Sequence, residues 1–354
     1  MLKGRLGIES ARIPHADRHG VMWLGRGNLV TEDGSLHFLT AGGAGLEPGD
    51  YGIPFQLVSC LVLEPGTTIT HDAVRLLASH GTGVVFSGEG GVRMYASVLP
   101  HGPDASARAR AQVRAWGDAD QRQRIVRRMY AWRMGEVFPD APLDVLRGME
   151  GARAKETYRV LSEQLGVRWY GRKFDRNTPE KDDPPNQAIN HASTAVMAAA
   201  QVAVAATGTL PQLGFIHEDS GIAFALDVAD LFRDTITVPC AFASVKEQRK
   251  RPDQPLERVA RQMTARAMRR EQVVTKMIDR IKELFDVAVV SRGEGEAEII
   301  PLGGRSAAAE RHVASSIAAQ SNRATSPAAA GLEDTDVQAH HAQDAGTAGE
   351  GDGP

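Results

Sequence analysis

The chain changes character at Leu99-Pro100-His101-Gly102-Pro103, and this break constrains the fold more than any other local feature. Before it, apolar runs of strand length are separated by turn signals. After it, long stretches of good helix formers dominate. Gly20 to Val30 carries short apolar runs, Glu32-Asp33-Gly34-Ser35 places Asp-Gly at the centre of a turn, and Leu36 to Thr40 resumes the apolar pattern, which predicts a hairpin. Phe55 to Leu63 reads as a strand ending at Glu64-Pro65-Gly66. Thr70 to His80 reads as a helix, with Ala73, Val74, Leu76 and Leu77 at helical spacing. Gly83 to Phe86 and Val92 to Val98 read as two further strands around Gly88 to Gly91. No helix follows those glycines, so they serve backbone geometry rather than a phosphate cradle.

Beyond the break, Ala105 to Gly135 reads as one arginine-rich helix and Leu143 to Leu165 as another, with Pro139 to Pro142 between them. Gly171 to Pro185 reads as a loop. Asn186 to Ala206 is an alanine-rich helix, Ile222 to Arg233 and Val238 to Val245 are short helices, and Pro255 to Phe285 is a long basic one. After Gly303, alanine, glycine, serine and acidic residues prevail without apolar periodicity, so the segment cannot bury enough surface to offset its ordering entropy. The fold expected is α+β. Residues 1–98 form a β-rich domain, 99–107 a linker, 108–302 a larger all-helical domain, and 303–354 a disordered tail in which His340-His341 is too weak a pair to imply a metal.

The chain of 354 residues is 42% hydrophobic, enough for two ordinary cores. No run of eighteen apolar residues occurs, and the first thirty residues lack the pattern of a secretory leader, so a soluble cytoplasmic protein is expected. Cys60 and Cys240, the two cysteines, support neither a thiolate zinc site nor a disulfide framework, and both read as buried thiols. The formal net charge of -3 averages over the tail. Residues 303–354 hold three of the 41 Lys and Arg and seven of the 44 Asp and Glu, which leaves 38 against 37 in the rest. The cations are clustered: Arg108, Arg110, Arg114, Arg122, Arg124, Arg127, Arg128 and Arg133 crowd one stretch, and Arg249-Lys250-Arg251 through Arg270 another. Such patches suit phosphate binding. Trp169 and Tyr170 beside Arg172 and Lys173 combine stacking surfaces with cations, which fits a splayed DNA end, although core packing accounts for Trp169 equally well.

Single residues decide little about chemistry. Glu150 taken alone is a solvated helix residue, His217 a satisfied histidine at the end of an apolar run, Asp227 the cap of a helix, and Arg93 half of a surface ion pair. Glu218 and Asp219 beside His217 are candidate ligands on chemical grounds. Asp227 lies three residues before Asp230, which places both carboxylates on roughly one helix face.

Order and context select among these. Leu63-Glu64-Pro65-Gly66-Thr67, Gly88-Glu89-Gly90-Gly91-Val92-Arg93-Met94-Tyr95-Ala96, Leu146-Arg147-Gly148-Met149-Glu150-Gly151-Ala152-Arg153, Leu213-Gly214-Phe215-Ile216-His217 and Leu226-Asp227-Val228-Ala229-Asp230-Leu231-Phe232 follow one another along the chain. Together they resemble the CRISPR-associated endonuclease and integrase of spacer acquisition, in its type I-E form, from about Asp17 to about Phe285. The resemblance implies that Glu150, His217 and Asp230 hold a catalytic Mg²⁺ or Mn²⁺, with Asp227 as a required acidic neighbour and Arg93 set against DNA. Two carboxylates and an imidazole are hard oxygen and borderline nitrogen donors that such ions accept.

The resemblance further implies divalent-metal-dependent insertion of short DNA fragments into a CRISPR array, by attack of fragment 3′-hydroxyls on repeat phosphodiesters, with DNA endonuclease activity alongside. Its implied partners are double-stranded DNA with 3′-OH ends, CRISPR repeat DNA, a second copy joined through the N-terminal domain, and a small ferredoxin-like adaptation protein that holds two such dimers. Met197 stands where some relatives carry tyrosine, and a thioether cannot donate the phenolic hydrogen bond. Two rivals stay open: a structure-selective nuclease acting on branched DNA repair intermediates, and a non-catalytic DNA-binding scaffold.

Overall fold

The computed structural model describes residues 18, 20–43, 45–98, 106–139, 141–173 and 183–285. The expected disordered tail at 303–354, most of the linker and residues 174–182 of the long loop lie outside them. Among the described residues, eight strands lie between Val21 and Val98, and from Ala107 to Phe285 the regular structure is helical.

The hairpin forms as expected, with β2 (Gly27–Glu32) antiparallel to β3 (Ser35–Thr40). Asp33 and Gly34 both adopt positive φ, 49° and 77°, as a two-residue turn matching the strand twist requires. β4 (Gly49–Gly52) pairs with β3 and β6 (Thr67–Ile69) with β2, which gives a first sheet in the order β4-β3-β2-β6. A second sheet has the order β1-β5-β7-β8, built from β1 (Val21–Leu24), β5 (Cys60–Leu63), β7 (Gly83–Ser87) and β8 (Met94–Val98). Its first three strands are parallel and β8 is antiparallel. α1 (His71–His80) is capped by Thr70, whose side chain accepts from Ala73 N–H, and ends on left-handed Gly81.

β5 is buried along its whole length because both faces of its sheet are covered. Leu61 and Leu63 join Leu29, Phe38 and Leu77 in a core between the sheets and α1. Cys60 and Val62, pointing the other way, join the core of the helical half. There the alanine-rich α5 (Pro184–Thr207) is central and packs against α6 (Ala223–Asp230), α7 (Val238–Gln248), α8 (Leu256–Arg270) and α9 (Val273–Phe285). It is long and apolar enough to cross a membrane, but its alanines are covered by these neighbours.

Four expectations need correction. Phe55 to Leu63 is a strand only from Cys60, since Leu57 N–H donates to the Pro54 carbonyl in a turn. β4 and β6 went unforeseen, being glycine-rich or only three residues long. The helix at Ala105 to Gly135 is two, α2 (Ala107–Gly117) and α3 (Ala119–Met134), because Asp118 takes an extended conformation and its carboxylate accepts from Gln121 N–H at 2.8 Å. The helix at Pro255 to Phe285 also divides, into α8 and α9, at Gln272 with φ 51°. Cys60 is buried as expected and Cys240 only partly so.

Candidate active site

Glu150 lies on α4 (Leu143–Leu165), His217 on the loop between α5 and α6, and Asp227 and Asp230 on α6. That loop is fixed from α2: Gln112, fully buried, donates to the carbonyls of Leu210 and Leu213 and accepts from Leu210 N–H, while Trp116 Nε1 donates to the Gly214 carbonyl at 2.9 Å. Gly214 is required by close approach, since a Cβ there would lie 2.2 Å from the His217 carbonyl oxygen and 2.8 Å from Ala223.

Asp227 is 1% exposed. Its carboxylate accepts from the backbone N–H groups of Phe215, Ile216 and His217 and bonds His217 Nδ1 at 2.7 Å. It sits inside α6 rather than at its start, so it caps no helix; with its oxygens occupied by these four donors, it holds the histidine. Proton donation from Nδ1 leaves Nε2 with the lone pair, and Nε2 lies 3.9 Å from Asp230 Oδ2. Histidines that ligate metals commonly donate their other ring nitrogen in this way, so the arrangement is compatible with a ligand role.

Glu150 and Asp230 meet at Arg133, near the end of α3. Arg133 Nη1 is 2.5 Å from Glu150 Oε1 and 3.6 Å from Asp230 Oδ2. Beyond α6, a single π turn (Arg233–Thr237) adds Arg233 Nη1 at 3.7 Å from Asp230 Oδ1 and Asp234 Oδ2 at 4.0 Å from Arg133 Nε. Burial raises the Glu150 pKa, against the Arg133 charge. For His217, burial pulls down, but the Asp227 hydrogen bond and the charges of Asp230, Asp227 and Glu150 outweigh it, and the net shift is upward. Gly148 and Gly151 lie on the solvent face of α4, where an added Cβ would meet no atom within 4 Å, while Glu150 turns inward to Arg133. Glu150, His217 and Asp230 therefore converge, with Asp227 in support, whereas Glu218 pairs with Arg122.

The basic residues divide by burial. Arg110 and Arg114 on α2 are exposed; Arg108 is 6% exposed. Arg127 donates to the carbonyls of Phe138, Pro139 and Ala141, Arg128 to that of Glu283, and Arg133 points into the acid cluster, so a phosphate-facing reading of the whole stretch does not hold for these three. Arg93 is half-exposed and 3.5 Å from Glu257. Arg172 donates to Asn186 and Asn190, and the exposed Lys173 follows it. Arg249 donates to the Gly166 carbonyl, and Lys250 and Arg251 share Glu247. Trp169 stacks on Tyr158 at 4.8 Å and packs by Phe242, partly buried against their core, while Tyr170 is 67% exposed. Met197 is partly buried against the same core as α5.

Comparison with known proteins decides the lineage. Residues 135–279 match the family model for CRISPR associated protein Cas1. The chain is 33% identical over 290 residues to CRISPR-associated endonuclease Cas1 3 of Methanospirillum hungatei JF-1, covering 82% of this chain and 94% of that protein. The chain belongs to the Cas1 family. Escherichia coli K12 Cas1 is 34% identical over 274 residues, 77% of this chain and 87% of its own. The crystal structure of TtCas1 with DNA superposes with a TM-score of 0.68 at 33% identity, covering 76% of this chain and 97% of that one. A casposase bound to its integration product shares the fold at 16% identity and a TM-score of 0.52. The Cas1 match at 135–279 contains Glu150, His217, Asp227 and Asp230, while Arg133 lies just before it. Arg233 and Asp234 are members of this cluster that pattern reading missed, and Arg133 was read with the phosphate-suited arginines, because nothing in the sequence says which of many charged residues turn inward.

Proposed function

We propose that this protein is a divalent-metal-dependent DNA endonuclease and integrase that inserts short DNA fragments into a CRISPR array. The observation that carries this reading is the convergence of Glu150, His217 and Asp230 from three separate elements, with Asp227 orienting the histidine. A non-catalytic scaffold has no need of an inward-facing cluster of carboxylates.

The donor set fits Mg²⁺ or Mn²⁺: two carboxylates and a neutral imidazole nitrogen. Such an ion, when bound, polarises a phosphodiester and neutralises charge that develops in in-line displacement. The chain supplies the remainder. Glu150 and Asp230 hold negative charge at the site, and Asp227 keeps the proton on His217 Nδ1 so that Nε2 is presented to it. Arg233, bonded to Tyr158 at 2.9 Å, lies beside Asp230 as a cation that can face phosphate. Arg93, Arg110, Arg114 and Lys173 supply sequence-independent attraction.

A fragment has two ends, which supports a homodimer joined through residues 1–98 and bridged by a small ferredoxin-like adaptation protein. The two unpaired cysteines fit a reducing, cytoplasmic setting. The deciding experiment incubates purified protein, with and without that partner and with Mg²⁺, Mn²⁺ or chelator, with labelled fragment and a plasmid bearing a repeat. Covalent joining that requires metal and is lost in Asp230→Ala is the expected result. Joining in chelator, or equal joining by Asp230→Ala, overturns the reading.

A further inference from the structure

Arg133 occupies the place that a cation shared by Glu150 and Asp230 needs. Its Nη1 lies between Glu150 Oε1 and Asp230 Oδ2, at 2.5 and 3.6 Å, and its side chain is only 8% exposed. Metal–oxygen bonds of roughly 2.0–2.2 Å to both carboxylates leave no room for that nitrogen.

Two further observations describe the cluster. Arg133 Nε and Asp234 Oδ1 are both buried without a hydrogen-bond partner, a state that buried polar atoms rarely keep without a reason. The ligand set is also held open. Among the described residues, only Glu32, His37 and Asp50, across β2, β3 and β4, bring three such donor atoms within 4.8 Å of one another, and Glu150, His217 and Asp230 do not. The guanidinium sets Nη1 between Glu150 and Asp230 and Nε 4.0 Å from Asp234, and its bulk holds apart carboxylates that a small ion would draw together.

We propose that Arg133 is a removable internal counter-ion: it neutralises Glu150, Asp230 and Asp234 in the metal-free protein and must leave the cluster for the divalent cation to load. The inference rests on the metal site proposed above and adds its regulation. Arg133 is the second-to-last residue of α3, which ends on left-handed Gly135, and a last helical turn is where a side chain is redirected at least cost. Metal affinity is then lower than the ligands alone permit, and anything that draws Arg133 outward, such as a DNA phosphate, raises it.

The test is a Mn²⁺ titration of the purified full chain, following the electron paramagnetic resonance signal of free Mn²⁺, for the wild type, Arg133→Gln, Arg133→Lys and Asp230→Asn. The expected result is Mn²⁺ binding about tenfold or more tighter in Arg133→Gln, from removal of a competing charge at close range. Arg133→Lys lies between it and the wild type, because an ammonium keeps the charge but loses the nitrogen that faces Asp234. Asp230→Asn loses the site. If Arg133→Gln fails to fold in chelator but folds with Mn²⁺, the same competition is shown through stability; if it folds in neither, Arg133→Lys decides. Unchanged or weaker Mn²⁺ binding in the Arg133 variants that fold, with binding still lost in Asp230→Asn, overturns the counter-ion and leaves the metal site standing. Equal Mn²⁺ binding by Asp230→Asn and wild type removes the site itself and the inference with it.

Discussion

His217 and Asp227 are joined twice, through Nδ1 at 2.7 Å and through the histidine backbone N–H at 2.9 Å, both to Asp227 Oδ1. The loop and its imidazole therefore depend on one buried carboxylate. Asp227→Asn keeps the shape but turns one acceptor into a donor facing donors, so it should destabilise the protein by about 3 kcal/mol. Urea unfolding measures the cost, and histidine resonances should report a changed His217 tautomer. A variant as stable as wild type with an unmoved His217 signal contradicts the role given to Asp227.

Gly214→Ala forces a methyl to within 2.2 Å of the His217 carbonyl oxygen. The backbone must shift, at a cost of about 2–4 kcal/mol, and strand joining should fall with it. Thermal melts beside a joining assay check both. Joining at the wild-type level would show that the position of His217 is less critical than the geometry implies.

The arginines separate by slope. Arg93→Ala, Arg110→Ala and Arg114→Ala remove exposed cations and should flatten the dependence of log affinity on log salt by about 0.9 for each phosphate no longer neutralised. Arg127→Ala should leave that slope alone and lower the melting temperature instead, because its guanidinium is spent on the carbonyls of Phe138, Pro139 and Ala141. An unchanged slope in the Arg93, Arg110 and Arg114 variants alike puts the DNA path elsewhere.

Trp169 and Tyr170 are neighbours with opposite expectations. Trp169→Ala empties a stacked aromatic cluster and should cost about 3–5 kcal/mol. Tyr170→Ala, at 67% exposure, should leave stability within about 0.5 kcal/mol and weaken binding to frayed DNA ends. Equal end-binding by Tyr170→Ala and wild type would remove stacking from the account.

His217 makes stability pH-dependent in metal-free protein. Burial lowers its pKa, yet the Asp227 hydrogen bond and the surrounding negative charges leave the folded value raised. A raised folded value means that its contribution is fully present below the unfolded pKa, about 6.5, and is lost as pH rises through the folded value. Glu150, raised chiefly by burial, has the same sign at more acid pH. Denaturation in chelator across this window should show stability falling with pH. His217→Gln should remove that part of the slope, and identical slopes would refute the assignment.

Much of this was legible in the sequence, for local reasons. The Asp33-Gly34 hairpin, the helix at Thr70 to His80 and the α4 span follow from turn chemistry and periodicity, which act within a few residues. Glu150, His217 and Asp230 stood out by context alone. The breaks at Asp118 and Gln272 are hidden because both lie inside runs of good helix formers, with Gly117 beside Asp118 the one local sign of the first. Arg133 and Asp234 were invisible for another reason: whether a charge faces water or another charge is set by packing among α3, α4 and α6, and no local pattern records it.

β5 has one further consequence. Leu61 and Leu63 are claimed by one interior and Cys60 and Val62 by another, so four consecutive residues serve as a party wall. Neither room can be demolished while the other stays dry. Chain cleavage after Val98 should release no self-sufficient half, and heating should melt both in one cooperative transition.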